Sequence, residues 1–215
     1  MIEHGAKIND DALLPEAAMV GSPEIVRLLL KHGINPNSCG TRGIPPIFEA
    51  IISNQMIVLA QLLDAKGIDK NIMILDAHPL FMKLYGHKTV LMCAIEMQRR
   101  ETITLLLEKG VDVNITDQNG VSALMCAVDK KDLESVSRLL EFKADVNLLD
   151  AEGCSVLIRA IQTGDGDIAM RILQEDVDTK VEFNGKTAAD YAKEKGMTDI
   201  ERLIEEKDQS RGIRP

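Results

Sequence analysis

The feature that most constrains this chain is a period of 33 residues. The segment LLEKGVDVN at Leu106–Asn114 returns as LLEFKADVN at Leu139–Asn147, and looser copies end at Asn37 and Asn71. A truncated copy, Ile2 to Asn9, opens the chain. Each copy is followed by a polar turn containing Gly, then by a short apolar segment that reaches a small residue at Ala50, Ala94, Ala127, Ala160 or Ala192. A fixed period of this size means repeated supersecondary units, each unable to bury its own hydrophobic face and therefore packed on its neighbours.

One unit can be built from its residues. Thr89, Ser122, Ser155 and Thr187 stand where a hydroxyl accepts from the first free N–H groups of a helix, and Pro46 suits a first helical position. The small residues let a second helix approach closely. That helix carries apolar residues at helical spacing, as in Ile25, Val26, Leu28, Leu29 and Leu30. Gly33, Gly67 and Gly110 are placed to stop it in the left-handed conformation that Gly takes without steric cost. Two antiparallel helices per unit follow.

The pattern G-x-T-x-L-x-x-A, an I-V-x-x-L-L helix and then G-x-D-V-N resembles the ankyrin repeat, over about residues 1 to 205. The resemblance implies an all-α solenoid of stacked antiparallel helix pairs with projecting β-hairpin tips. The family's Thr-Pro-Leu-His is nowhere intact, its place being taken by Pro45–Phe48, Thr89–Met92, Ser122–Met125 and Ser155–Ile158. Loss of the His removes a hydrogen bond between neighbouring turns, which predicts a looser array. The copies divide the chain into a partial repeat at 1–9, repeats at 10–37, 38–71, 72–114, 115–147 and 148–181, a capping repeat at 182–206 and a tail at 207–215.

From Asn37, Asn114 and Asn147 the next cap residue lies eight positions on, at Pro45, Ser122 and Ser155. Two joints depart from this rule. Asn9 to Ala12 is only three, and Asn71 to Thr89 is eighteen, an insertion of ten within about 72–86. The inserted stretch is apolar for a loop and holds Phe81 and Tyr85, two of six aromatic residues. It reads either as an extra helical turn at Leu80–Tyr85 plugging the gap between repeats, or as an exposed anchor for a partner. At the C-terminal end, Asp199–Glu206 is charged over most of its outer face, as a terminal cap must be. Met1 begins inside the last turn of a second helix, which reads as a fragment of a longer chain or as a face that meets something else.

Composition narrows the function classes. Hydrophobic residues at 45% suffice for a core, and 27% charged residues without long like-charge runs predict order almost throughout. A net charge of -9 argues against nucleic acid, which needs a concentrated basic surface; only Arg211 and Arg214 near the end are locally basic. No apolar run reaches the roughly 20 residues that span a bilayer, and the N-terminus lacks a signal-peptide pattern. Four cysteines without CxxC spacing fit a reducing compartment, the cytoplasm with the nucleus as alternative.

Residues that could carry chemistry read as structural. Cys93 and Cys126 are equivalent positions in helices whose axes should lie about 8–10 Å apart, poor geometry for a disulfide and better suited to small buried groups. Cys39 and Cys154 fall in turns at least three repeats apart. His4 and His32 precede helix-ending Gly, while His78 and His87 flank the insertion without zinc-ligand spacing. Gly164–Asp167 lacks the order of a calcium loop and reads as an interhelix turn, and Asn114–Thr116 is a glycosylation sequon that an intracellular chain would not use. Phosphate, dinucleotide and metalloprotease motifs are absent. No catalytic residue, metal or cofactor is expected.

The resemblance further implies that a protein partner docks on the concave face formed by hairpin tips and first helices. The matching tip positions are Thr41, Arg42 and Ile44, then Gln118, Asn119 and Val121, then Ala151, Glu152 and Cys154, with Phe183, Asn184 and Lys186 in the last repeat. The first-helix ends on that side are Glu96, Met97, Asp129, Lys130, Gln162 and Thr163. Such side chains are expected neither to pack between helices nor to cap them, which leaves them free to specify a partner. Asn114 and Asn147 also match positions at which ankyrin asparagines are hydroxylated; the competing reading is an Asn that ties down the hairpin through its amide. The expected function is that of a monomeric, non-catalytic scaffold or adaptor that neither binds nucleic acid nor inserts into a membrane. The alternative is a regulatory or substrate-targeting module of a larger enzyme or channel whose functional domain is absent.

Overall fold

The computed structural model describes residues 12–75, 77 and 79–212, apart from the side chains of Leu80, Phe81 and Arg211. The truncated copy at Ile2–Asn9, the joint from Asn9 to Ala12, and His4, His78 and Arg214 lie outside these residues. Among the described residues the fold is all-α; pairing between extended segments is limited to isolated bridges at the hairpin bases. No helix among them is long and apolar enough to cross a membrane. The chain divides into two compact units, Met1–Asp112 and Val113–Pro215.

In the first unit the helices come as pairs: α1 and α2 (Leu13–Val20, Pro23–Lys31), α3 and α4 (Pro46–Ile52, Met56–Leu63), α6 and α7 (Val90–Glu96, Arg100–Glu108). Helix α5 (Pro79–Tyr85) lies within the insertion. First helices pack on first helices, α1 on α3 and α3 on α6, while α2 packs on α4 and α4 on α7. The second unit repeats the scheme with α8 and α9 (Ala123–Asp129, Leu133–Glu141), α10 and α11 (Val156–Thr163, Gly166–Leu173), and α12 and α13 (Ala188–Glu194, Thr198–Gly212). There α8, α10 and α12 form one row and α9, α11 and α13 the other.

The caps fall where the sequence places them. The hydroxyls of Thr89, Ser122 and Ser155 accept the N–H groups of Met92, Met125 and Ile158, each at 3.3 Å. Thr187 and Asp190 cap each other reciprocally, and Pro46 opens α3. Aspartates cap two of the second helices, Asp132 for α9 and Asp165 for α11, so Gly164 and Asp165 form the interhelix turn and Gly166 and Asp167 open α11. Ala94, Ala127, Ala160 and Ala192 are fully buried. Leu29, Leu62, Leu106, Leu139 and Ile172 share one register of the second helices and are buried with them; each contributes about 1.5–3 kcal/mol by leaving water. Cys93 and Cys126 are buried, and none of the four cysteines is in a disulfide.

Three details depart from expectation. Gly33 and Gly110 follow the cap residues His32 and Lys109 directly, but α4 is capped by Asp64 and Gly67 bends the turn three residues later, because that copy is longer between Leu63 and its Gly. Ile25 is 49% exposed, whereas Val58, Thr102, Ser135 and Ile168 at its register are buried; no described helix covers the far side of α2. Residues 207–212, expected in the tail, continue α13. Lys207 donates to the carbonyls of Leu173 and Glu175 at 3.0 and 2.7 Å, and Asp208 accepts from Thr179 and Lys180, which holds that extension to α11 and the loop after it.

Successive pairs are also tied by asparagine amides. Asn37 donates to the Gly67 carbonyl and accepts from Asp69 N–H, both at 2.8 Å. Asn71 accepts from Asp112 N–H at 2.9 Å. In the second unit Asn114 accepts from Asp145 at 2.8 Å and Asn147 from Asp178 at 2.7 Å. The amides reach the loop of the next copy, and the hairpins are organised by other groups.

Candidate functional site

Those groups are two aspartates. Asp117 Oδ1 accepts the N–H groups of Asn119 and Val121 at 2.8 and 2.9 Å, and Asp150 Oδ1 accepts those of Glu152 and Cys154 at 3.0 and 2.9 Å. Each carboxylate curls a five-residue tip between bridged residues, Thr116 with Ser122 and Leu149 with Ser155. The tips touch where Ala151 N–H donates to the Asn119 carbonyl at 2.8 Å. Gly120 makes this approach feasible: its φ is 71°, and a Cβ there would stand 2.8 Å from the Ala151 nitrogen. The last tip is a two-residue turn, Asn184 and Gly185, both with positive φ, closed by paired Phe183–Lys186 backbone bonds at 2.9 and 3.1 Å. The Tyr191 hydroxyl donates to the Phe183 carbonyl at 3.0 Å and fixes that tip to α12.

Between the Asp150 tip and the last tip lies a recess of about 340 Å³ lined by Asp129, Asp150, Glu152, Cys154, Arg159, Gln162, Thr163 and Phe183. Arg159 forms its floor. It stands at the helix register where α6 and α8 carry the buried Cys93 and Cys126, and its guanidinium donates to Asp129 Oδ2 at 2.8 Å and to Asp150. The Asp150 side chain is 8% exposed, so this half of the pair is desolvated. Burial opposes the Arg159 charge, and the two carboxylates overcome it and raise its pKa further. Burial pushes Cys154 up to about 11, with Arg159 only partly opposing. Cys154 is therefore a thiol at neutral pH and no nucleophile.

Six residues singled out from the sequence meet in this recess: Asp129, Glu152, Cys154, Gln162, Thr163 and Phe183. Gln118, Asn119, Ala151 and Asn184 are exposed on the tips, with Val121 half-buried behind them. Several of the expected free side chains are committed elsewhere. Ile44 and Cys154 are buried, because the residue just before the cap turns inward. Thr163 donates to the Ala160 carbonyl at 2.7 Å and accepts from Asp165 N–H at 3.3 Å, finishing α10. Met97 and Lys130 are the C-cap residues of α6 and α8, and Glu96 pairs with Lys88 at 3.0 Å. Lys186 pairs with Glu194 at 2.5 Å and lies 5.7 Å over the Tyr191 ring. Thr41 and Arg42 are exposed in the first unit, where Arg42 pairs with Glu49.

The insertion is closed at its base. Met73 is bridged to Thr89, His87 N–H donates to the Ile74 carbonyl at 2.8 Å, and Ile74 is buried. Helix α5 covers the expected turn at Leu80–Tyr85. Its neighbourhood exposes Leu75 and Leu84, at 68% and 53%, while Tyr85 is half-buried and the Phe81 side chain lies outside the described residues. Asn114 and Asn147 both have their amides engaged, donating to the Lys143 and Asp176 carbonyls at 3.5 and 3.0 Å. Among the described residues no group of three or more His, Cys, Asp or Glu could hold a metal ion.

Sequence reasoning missed Asp117, Asp150, Arg159 and Glu49. A signal existed for the last two: both stand immediately before the small Ala of a first helix, a register that is otherwise apolar in Cys93 and Cys126.

A three-copy ankyrin repeat model matches residues 72–150 and 124–211, and a single-repeat model matches 9–41. An ankyrin repeat domain from Acinetobacter baumannii AYE is similar in structure, with a TM-score of 0.75 at 20% identity over 91% of this chain and 97% of that one. The ankyrin repeat protein EF0377 gives 0.74 at 25% identity, covering 92% and 98%. The ankyrin repeat domain of Bcl-3, a member of the IkappaB protein family, gives 0.74 at 23% identity, covering 92% and 86%. No curated protein sequence matches the chain.

Proposed function

Because the chain belongs to the ankyrin repeat family, we propose that it is a non-catalytic interaction module that binds a protein partner on the hairpin and first-helix side of its second unit, at the recess around Arg159. Ankyrin repeats generally mediate protein–protein interaction. The observation that carries the location is the convergence of Asp129, Glu152, Gln162 and Phe183 on one preformed recess with a charged floor. Aspartate-nucleated tips and the Asn119–Ala151 contact hold this surface in shape before binding, which lowers the ordering cost of association. Phe183 supplies an aromatic edge, and Gln118, Asn119 and Glu152 a polar rim. Four cysteines outside any disulfide, three of them buried, support a reducing, cytoplasmic setting.

Site-specific photo-crosslinking tests the reading. A photoreactive residue at Gln162 should give discrete protein adducts in cells of the source organism, and Glu152→Lys should abolish them. The same residue at Glu134, on the outer side of α9, should give none. Equal adducts from both positions would sink the proposal.

A further inference from the structure

The first unit holds a second recess of about 340 Å³, between α1, the turn at Cys39–Arg42 and α3. One wall is apolar, formed by Pro15, Met19 and Val20; Thr41 and Arg42 of the turn line the other, and the carboxylate of Glu49 lies at the floor. Glu49 is 2% exposed. Its charge partner is Arg42, whose side chain is 49% exposed and reaches inward so that Nη2 donates to Glu49 Oε1 and touches the Met19 sulfur at 3.0 Å. Among the described residues no donor serves Glu49 Oε2.

The fold does not require a carboxylate there. At the same register α6 carries Cys93, fully packed as an apolar group. A buried carboxylate costs free energy unless hydrogen bonds compensate it, and burial pushes the Glu49 carboxyl above its ordinary range, with Arg42 opposing. An apolar wall leading to a carboxylate with an unserved oxygen matches a long basic side chain: methylenes against Pro15 and Met19, and a planar head that can serve both oxygens at once. A guanidinium does this and an ammonium does not. Glu16, also at the recess, adds to the negative charge.

We propose that this recess receives an arginine side chain of a protein partner, and that Arg42 is its intramolecular occupant in the free chain. This inference rests on the reading of the chain as a protein-binding module but concerns a different place, so the test below does not touch the Arg159 recess. The free side chain stands in for the partner: N-acetyl-argininamide is titrated into the ¹⁵N-labelled full chain, with the lysine and norleucine analogues as comparisons, and amide shifts are followed at Met19, Gly40 and Thr41. Arg42→Ala removes the occupant and should tighten argininamide binding at least fivefold over wild type, with the lysine analogue weaker and the norleucine analogue silent. Adding Glu49→Gln to Arg42→Ala should abolish saturable binding while the amide dispersion of the fold persists. Arg42→Ser, small and polar, serves as a second occupant-free variant should the alanine variant unfold. The proposal is overturned if the occupant-free variant binds no tighter than wild type, if Glu49→Gln leaves its binding intact, or if norleucine binds as arginine does.

Discussion

The Asn147 side-chain oxygen accepts the backbone N–H of Asp178 at 2.7 Å, while its amide nitrogen donates to the carbonyl of Asp176 at 3.0 Å. One side chain thus satisfies both a donor and an acceptor in the loop that follows the next helix pair. Asn147→Ala removes both bonds, each worth about 1 kcal/mol net. Urea unfolding should show a loss of about 1–2 kcal/mol with an unchanged m-value, and a variant as stable as wild type would remove the amide from the account of how successive copies are held together.

Gly120 and Gly153 separate conformational strain from steric exclusion. Both have positive φ, but a Cβ at Gly120 would press on the backbone of Asp150 and Ala151, whereas at Gly153 nothing lies within 4 Å. Gly153→Ala should cost only the left-handed strain, about 1–2 kcal/mol. Gly120→Ala should cost about 1–3 kcal/mol more and speed exchange of the Ala151 amide. Equal losses in the two variants would mean that the tips do not depend on their contact.

Arg159→Met should leave the largely buried Asp150 without its cation and destabilise the chain by about 1.5–3 kcal/mol; Asp129 is 46% exposed and adds little. In a double-mutant cycle, Asp150→Asn should recover part of that loss, because the amide that replaces the carboxylate carries no charge to strand. Additive losses in chemical denaturation would show that the two side chains do not act as a pair.

Cysteine modification should distinguish Cys39 from the rest. Cys39 is exposed, Cys93 and Cys126 are in the core, and Cys154 is both buried and held as a thiol. Partial burial also raises the Cys39 thiol, so at about pH 9, just above the ordinary thiol pKa, iodoacetamide should add once to the native chain by intact mass and four times after denaturation. A second native adduct mapping to Cys154 would contradict its burial.

The repeat phase, the hydroxyl caps and the small first-helix residues were legible because each recurs at one register, so individually weak signals reinforce one another. The ion pairs were not. Asp150 and Arg159 lie nine residues apart across a turn, and Arg42 and Glu49 seven apart with the charges reversed, so neither pair echoes in another copy. The misjudged tip residues have a common cause. Ile44 and Cys154 precede a cap on extended backbone, where side chains alternate in direction, and counting along a tip does not reveal which member of the alternation faces inward. The end of α13 escaped because Lys207 and Asp208 are bound by partners about 30 residues away, which no local pattern announces.

Met73 and Thr89 occupy the bridge positions that elsewhere enclose a five-residue tip, yet here they enclose fifteen residues, a helix included. By polymer statistics, tripling a loop costs only about 1 kcal/mol of closure entropy. The bridge therefore behaves as a cassette port: what is threaded through it can change in length and character without disturbing the helices on either side. A grafted epitope, a fluorophore-binding peptide or a protease site placed between Ile74 and His87 would be carried by the same clasp.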